Sequence, residues 1–211
     1  VMEGIKNLVI DFGGVIINLT RNRCIEAFES LGVANIREQI LNNYQHKDLF
    51  MKIELGSITV AEFREGIRHL TRQPLTDEQI DAAWIAMLDD VPDYKLDLLL
   101  DLRKRYNTML LSNTNEIHWE WSEKTCFSYK GHHASDFFNH IYLSYRLHLL
   151  KPDAEIFEYV LQDADIRPEE TLFIDDAVPN CRTAESLGFH TYTPQPREDW
   201  SHLFGIMNHK S

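Results

Sequence analysis

Short apolar runs, each ending in a polar residue, alternate along much of this chain with amphipathic helical stretches, and that alternation admits few architectures. Asn7 to Ile10 reads as a buried strand that ends at Asp11 and opens into a tight loop through Gly13-Gly14 before Val15-Ile16-Ile17. Later strands are expected over Thr108 to Leu111, His140 to Leu143, Thr171 to Ile174 and Phe189 to Tyr192. Helices are expected over Tyr94 to Arg105, Ala154 to Asp163 and Asn180 to Leu187. The fold class is therefore α/β, a Rossmann-like parallel sheet with helices on both faces. Such sheets bind their ligands at the carboxyl ends of the strands.

Between Asn18 and Pro92 the texture is different. Helical patterns run over Arg23 to Leu31, Ile36 to Tyr44, Val60 to Leu70 and Asp77 to Leu88, with no convincing strand between them. Thr59 with Glu62, and Thr76 with Gln79, have the spacing of capping boxes. The expected division is a core of residues 1–17 and 93–211 and an inserted all-helical cap of residues 18–92.

The polar residues after the strands form a coherent chemical set: Asp11, then Ser112-Asn113-Thr114, Lys151-Pro152 and Asp175-Asp176. Hydrolysis of a phosphate monoester is among the slowest uncatalysed reactions, accelerated by enzymes up to about 10²¹-fold, so several effects must cooperate. An aspartate that attacks phosphorus divides one hard displacement into two easier ones. Attack by one anion on another calls for a divalent cation, and Mg²⁺ prefers carboxylates, water and phosphate oxygens. Asp175 and Asp176 are adjacent carboxylates, which repel unless solvent or a cation relieves them. Lys151 offers positive charge to the phosphate, and Ser112 and Asn113 offer hydrogen bonds.

The runs Val9 to Val15, Leu110 to Thr114, Lys151-Pro152 and Phe173 to Asp176 resemble, in this order, the four motifs of the haloacid-dehalogenase-like hydrolases with a helical cap. Asp-Phe-Gly-Gly-Val at 11–15, Ser-Asn-Thr-Asn at 112–115 and the Asp175 to Asn180 run are similar to the bacterial alpha-D-glucose-1-phosphate phosphatases. The resemblance implies a Mg²⁺-dependent phosphatase with Asp11 as nucleophile and Lys151 as its catalytic partner. Ser112, Asn113 and Lys151 would bind substrate. Asp11, Gly13, Asp175 and Asp176 would hold the metal, Gly13 through its backbone carbonyl. The phosphatases of this superfamily carry a second Asp, the general acid and base, where this chain has Gly13. Its absence is expected to slow turnover of poor leaving groups and to favour sugar 1-phosphates, whose leaving oxygen is less basic.

Two other readings compete. A 2-haloacid dehalogenase also lacks the second Asp, but it has no use for the Asp175-Asp176 pair. A phosphosugar-binding module needs no nucleophile. His46, Lys47 and Glu54 in the insert are candidates to face substrate, although exposure is the default for such residues. Asn180 reads equally well as a helix-start residue or as support for the acidic pair. Trp119, Trp121, Tyr129 and His132-His133 read as packing or solvent-facing groups.

Composition narrows the partners. With 33 acidic and 21 basic residues the formal charge is −12, which argues against nucleic acid and anionic membrane and for a small phosphorylated metabolite. Three scattered cysteines without CxxC spacing suit a reducing compartment. No apolar run reaches the ~20 residues of a membrane span, and the first residues lack signal-peptide character, so a cytoplasmic address is expected.

Overall fold

The computed structural model describes residues 3–41 and 49–205. Five strands form one sheet: β1 (Asn7–Ile10), β2 (Asn107–Ser112), β3 (His140–Leu143), β4 (Thr171–Ile174) and β5 (His190–Tyr192). Every pairing is parallel, and the order is β3-β2-β1-β4-β5. The chain therefore departs from β1 toward β2 and β3, then returns to the other side of β1 for β4 and β5. This reversal opens the crevice between β1 and β4, with Asp11 and Asp175 at its lip. Strand register brings the carboxyl ends level, Ile10 lying opposite both Leu110 and Ile174.

Side chains alternate across the sheet, as two-residue strand periodicity requires. Leu8, Ile10, Leu110, Leu172 and Ile174 pack on one face with Leu96, Leu99 and Leu102 of α6 (Asp93–Arg105). Val9, Met109, Leu111 and Phe173 pack on the other with Ile156 and Phe157 of α10 (Ala154–Asp163) and Ala184 of α11 (Val178–Ser186). Burial on both faces explains why, after Asn7 and Thr171, the remaining three residues of β1 and of β4 are all apolar rather than alternating with polar ones.

Among the described residues, five helices lie between β1 and α6: α1 (Arg21–Ser30), α2 (Ile36–Leu41), α3 (Leu49–Leu55), α4 (Val60–Thr71) and α5 (Asp77–Ile85). They enclose their own apolar cluster around Phe28, Phe50, Phe63, Ile67, Ile80 and Trp84. Both expected capping boxes are present, Thr59 with Glu62 on α4 and Thr76 with Gln79 on α5. The two segments that join insert to sheet domain pair with each other: Asn18 N–H donates to Asp90 O, Asp89 N–H to Asn18 O and Thr20 N–H to Met87 O. Leu19 and Leu88 form an antiparallel bridge there, a pairing absent from the sequence expectation of helices alone.

Three more helices complete the fold: α7 (Glu116–Thr125), α8 (Ala134–Phe137) and α9 (Ser144–Leu147). Asn115 caps α7 by accepting the His118 N–H. Trp119 is buried against Phe12 and Phe127, in keeping with the packing role expected of it. The last three residues, 42–44, of the helix expected over Ile36 to Tyr44, together with His46 and Lys47, lie outside the described residues. Among the described residues no helix is long and apolar enough to cross a membrane.

Candidate active site

At the end of β1, Asp11 N–H donates to Ile174 O, which seats the residue against the neighbouring strand β4. Its Oδ1 accepts from the Phe12 N–H at 2.8 Å and from Lys151 Nζ at 2.9 Å. Lys151 Nζ also reaches Asp175 Oδ2 at 2.7 Å and Leu111 O at 2.9 Å. One buried ammonium thus ties together the carboxyl ends of β1, β2 and β4.

The support for that arrangement comes from amides. Asn113 forms a reciprocal pair with the Lys151 backbone, Oδ1 accepting its N–H at 3.0 Å and Nδ2 donating to its carbonyl at 2.9 Å. Through this pair Asn113, which also lines the cavity, holds the Lys151 loop. Asn180 Nδ2 donates to both oxygens of Asp175, at 3.1 and 3.0 Å, and the Ala177 N–H adds a bond at 2.8 Å. Both readings open for Asn180 are met: it lies in the first turn of α11 and supports Asp175 of the acidic pair.

Oxygens of Asp11, Asp175 and Asp176 all lie within 4.8 Å of one another. Three carboxylates against one ammonium leave a local negative excess. Burial pushes the Asp11 carboxyl above its usual range and Asp175 adds to this, with Lys151 pulling against them. Burial alone would lower the Lys151 ammonium, but Asp11 and Asp175 outweigh it and hold the group above the ordinary lysine range. A hard divalent cation relieves such a cluster, and all-oxygen donors suit Mg²⁺. The donor set therefore fits the metal. Because Asp11 must shed a proton first, magnesium affinity should rise with pH and binding should release protons. Calorimetry in two buffers of different ionisation enthalpy reads this directly; identical heats would contradict it.

Gly14 keeps the third carboxylate in reach. Its φ is +79°, and a Cβ there would lie 2.3 Å from Asp176 Oδ2. Gly14→Ala is expected to displace Asp176 and weaken magnesium binding by at least about tenfold, with a stability loss on the order of 1 kcal/mol or more. An unchanged magnesium titration would show that Asp176 is dispensable.

These groups open onto a cavity of about 360 Å³ between sheet and insert. Ser112, Asn113, Lys151 and Asp176 line its floor; Leu19, Met51, Trp84 and Met87 give it apolar walls; Arg21, Glu54 and His118 add polar groups. Gly13 contributes no side chain, and Leu19 Cδ1 sits 3.0 Å from where a Cβ would be. Sequence reasoning gave no place to Ser144, Arg21 or His118, since isolated residues of these types carry no spacing signal.

An acidic triad, two of its members buried, with a buried lysine, at the switch point of a parallel sheet and facing an inserted helical region, defines a metal-dependent hydrolase of the phosphoryl-transfer class. The haloacid dehalogenase-like hydrolase family matches residues 5–188, and the chain belongs to that family. A HAD family enzyme of Bacteroides thetaiotaomicron, solved with magnesium and inorganic phosphate, is 53% identical with a TM-score of 0.91, over 95% of this chain and 99% of that one. A HAD-like family hydrolase of Porphyromonas gingivalis is 36% identical with a TM-score of 0.89, over 97% of each chain. The D-ribitol-5-phosphate phosphatase of Bacteroides thetaiotaomicron is 39% identical over 196 residues, 93% of this chain and 95% of that protein. Family and acidic cluster together make this protein a magnesium-dependent phosphomonoesterase that acts through an aspartate.

Proposed function

We propose that the protein hydrolyses the phosphate of a small polyol or sugar through an aspartyl phosphate on Asp11, an open-chain pentitol 5-phosphate being the leading substrate. The observation that carries the reading is the Asp11, Lys151, Asp175 and Asp176 cluster at the floor of a cavity sized for a small metabolite. The likeness to a D-ribitol-5-phosphate phosphatase supports the choice of polyol.

Magnesium, held by Asp11, Asp175, Asp176 and the Gly13 carbonyl, supplies positive charge against the phosphate oxygens. Lys151 adds a fixed ammonium on the same side, and its two carboxylate contacts keep it protonated at working pH. The Phe12 N–H and Lys151 orient the Asp11 carboxylate through Oδ1. Ser112 offers its hydroxyl and the following loop its N–H groups to phosphate oxygens. Asp11 then attacks phosphorus, the leaving oxygen departs as alcohol, and water later cleaves the acyl phosphate. The insert closes the cavity with apolar side chains, which excludes bulk water and strengthens these contacts.

A second reading, a sugar 1-phosphate as substrate, is favoured by Gly13: the leaving hemiacetal oxygen depends less on an acid. It is the reading in which the likeness to glucose-1-phosphate phosphatases extends to substrate. Phosphate release from ribitol 5-phosphate, glucose 1-phosphate and glucose 6-phosphate, with magnesium and with EDTA, tests both. Highest kcat/KM on ribitol 5-phosphate supports the polyol, and highest on glucose 1-phosphate the anomeric phosphate. Release that persists in EDTA, or silence across the panel, counts against the whole proposal.

A further inference from the structure

A lysine on an amphipathic helix ordinarily keeps its ammonium in water. Lys95 of α6 does not: it is 1% exposed, and its Nζ donates to the Val15 carbonyl at 2.7 Å. Burial pushes the ammonium down to about 8, and Asp199, Glu198 and Asp90 raise it only from a distance, since among the described residues it forms no ion pair. A buried charge whose one bond is to a carbonyl costs more than an apolar side chain of the same length. Stability of the fold alone therefore gives no reason for a lysine here.

What the bond holds lies beside the nucleophile. Val15 belongs to a tight loop in which Phe12 O accepts the N–H groups of Val15, Ile16 and Ile17, and Gly14 N–H donates to Ile17 O. Those bonds are internal to the loop. The Val15 carbonyl is instead taken by donors from outside it: Lys95, and Trp200 Nε1–H at 3.0 Å from a short 3₁₀ helix over Trp200–Phe204. Trp200 is also 1% exposed and packs on Phe204. Two buried donors, 80 and 185 residues away in sequence, converge on one backbone oxygen.

Phe12 and Val15 bracket Gly13 and Gly14, and two glycines in succession leave a backbone soft. Yet this segment must keep its shape. The Phe12 N–H orients Asp11 Oδ1, Gly14 leaves room for Asp176, and the Gly13 carbonyl is the backbone contact proposed for magnesium. The Phe12 end is fixed by its ring, packed on Trp119 and Phe127. At the Val15 end the side chain is buried, and the two donors fix the direction of its carbonyl. An ammonium does this better than a neutral donor, because a charge-assisted hydrogen bond is roughly twice as strong.

We infer that Lys95 and Trp200 are positioning residues of the active site, clamping the Val15 carbonyl so that the two-glycine loop keeps the shape that orients Asp11 and receives magnesium. This rests on the phosphatase reading above.

Lys95→Met keeps the length of the side chain and removes the donor; Trp200→Phe keeps an aromatic ring against Phe204 and removes the indole N–H. In each, the magnesium Kd measured by calorimetry without substrate is expected to rise about tenfold. With ribitol 5-phosphate at saturating magnesium, kcat should fall about 10–100-fold with KM within about threefold of wild type, since neither residue lines the cavity. Val160→Ala, which opens a void on the opposite face of the sheet, is the control: it should lower the thermal midpoint and leave magnesium Kd and kcat unchanged. Lys95 and Trp200 variants that behave like this control, or like wild type, would overturn the inference and leave the two residues as packing. Failure of the phosphatase reading itself looks different: wild-type enzyme would bind magnesium but release no phosphate, and the magnesium Kd of the variants would still decide whether the clamp shapes the loop.

Discussion

Asp11→Asn is expected to abolish phosphate release, lowering kcat by about 10⁴-fold or more, without loss of folded structure. Asparagine cannot form an acyl phosphate, yet its Oδ1 still accepts the Phe12 N–H and contacts Lys151, both of which engage Asp11 Oδ1 in the wild type. The substitution also removes one of three clustered carboxyl groups, so repulsion in the metal-free protein is eased rather than increased. The thermal midpoint in EDTA should therefore not fall. Proton release on magnesium binding should diminish, since burial and Asp175 raise Asp11 and the substitution removes its share, leaving that of Asp176, which is raised as well. Phosphate release, circular-dichroism melting and buffer-dependent calorimetry together check these points. Residual turnover above a few per cent of wild type would remove Asp11 from the nucleophile's role.

Lys151→Met should be the more damaging change to the fold. It takes the ammonium from between two buried carboxylates, leaving Asp11 and Asp175 facing one another without compensation. Breaking a buried ion pair by removing one partner costs about 3–5 kcal/mol. For a chain of this size that corresponds to roughly 6–20 °C in thermal midpoint. The loss has a defined pH dependence. Without the lysine the Asp11 carboxyl is pushed further above its unfolded value, so the folded state binds more protons than the unfolded one, and stability declines as pH rises above the ordinary aspartate range. Magnesium should restore part of the stability by supplying the missing charge. Activity should fall about 10²–10³-fold in kcat/KM even in saturating magnesium, because a fixed charge facing the phosphate is gone. Equal melting of mutant and wild type in EDTA at pH 8 would contradict the account.

The contrast between the two variants follows from burial and not from chemistry alone. Asp11 and Lys151 both face the substrate cavity. Only the lysine also bridges three strand ends, so only its removal should be felt throughout the fold.

The strands were legible where burial on both faces makes them short apolar runs with a polar stop. β1, β3 and β4 have the bounds read from sequence, and β2 extends one residue further at each end. β5 begins at His190 because Phe189 packs against Phe157 and Phe173 in the core instead of pairing. The capping boxes at Thr59 and Thr76 were legible because both partners lie within one turn. α3 and α9 escaped notice: they have 7 and 4 residues, too few for a periodic pattern, and they pack against each other across the insert boundary.

The active site divides in the same way. The identities and order of Asp11, Ser112, Lys151 and the Asp175-Asp176 pair were legible in local sequence, because each follows closely on the end of an apolar strand or lies in the loop beyond it. The work of Asn113 and Asn180, the bond from Ser144 Oγ to the Glu54 carbonyl and the entry of His118 into the cavity were decided by tertiary structure alone, whereas Glu54 was already a sequence candidate to face substrate. The physical reason is range. Strand ends, caps and turns are chosen by interactions within a few residues, which a sequence displays directly. A buried amide or hydroxyl finds its partner wherever packing brings one, here from 5 residues away for Asn180 to 90 for Ser144.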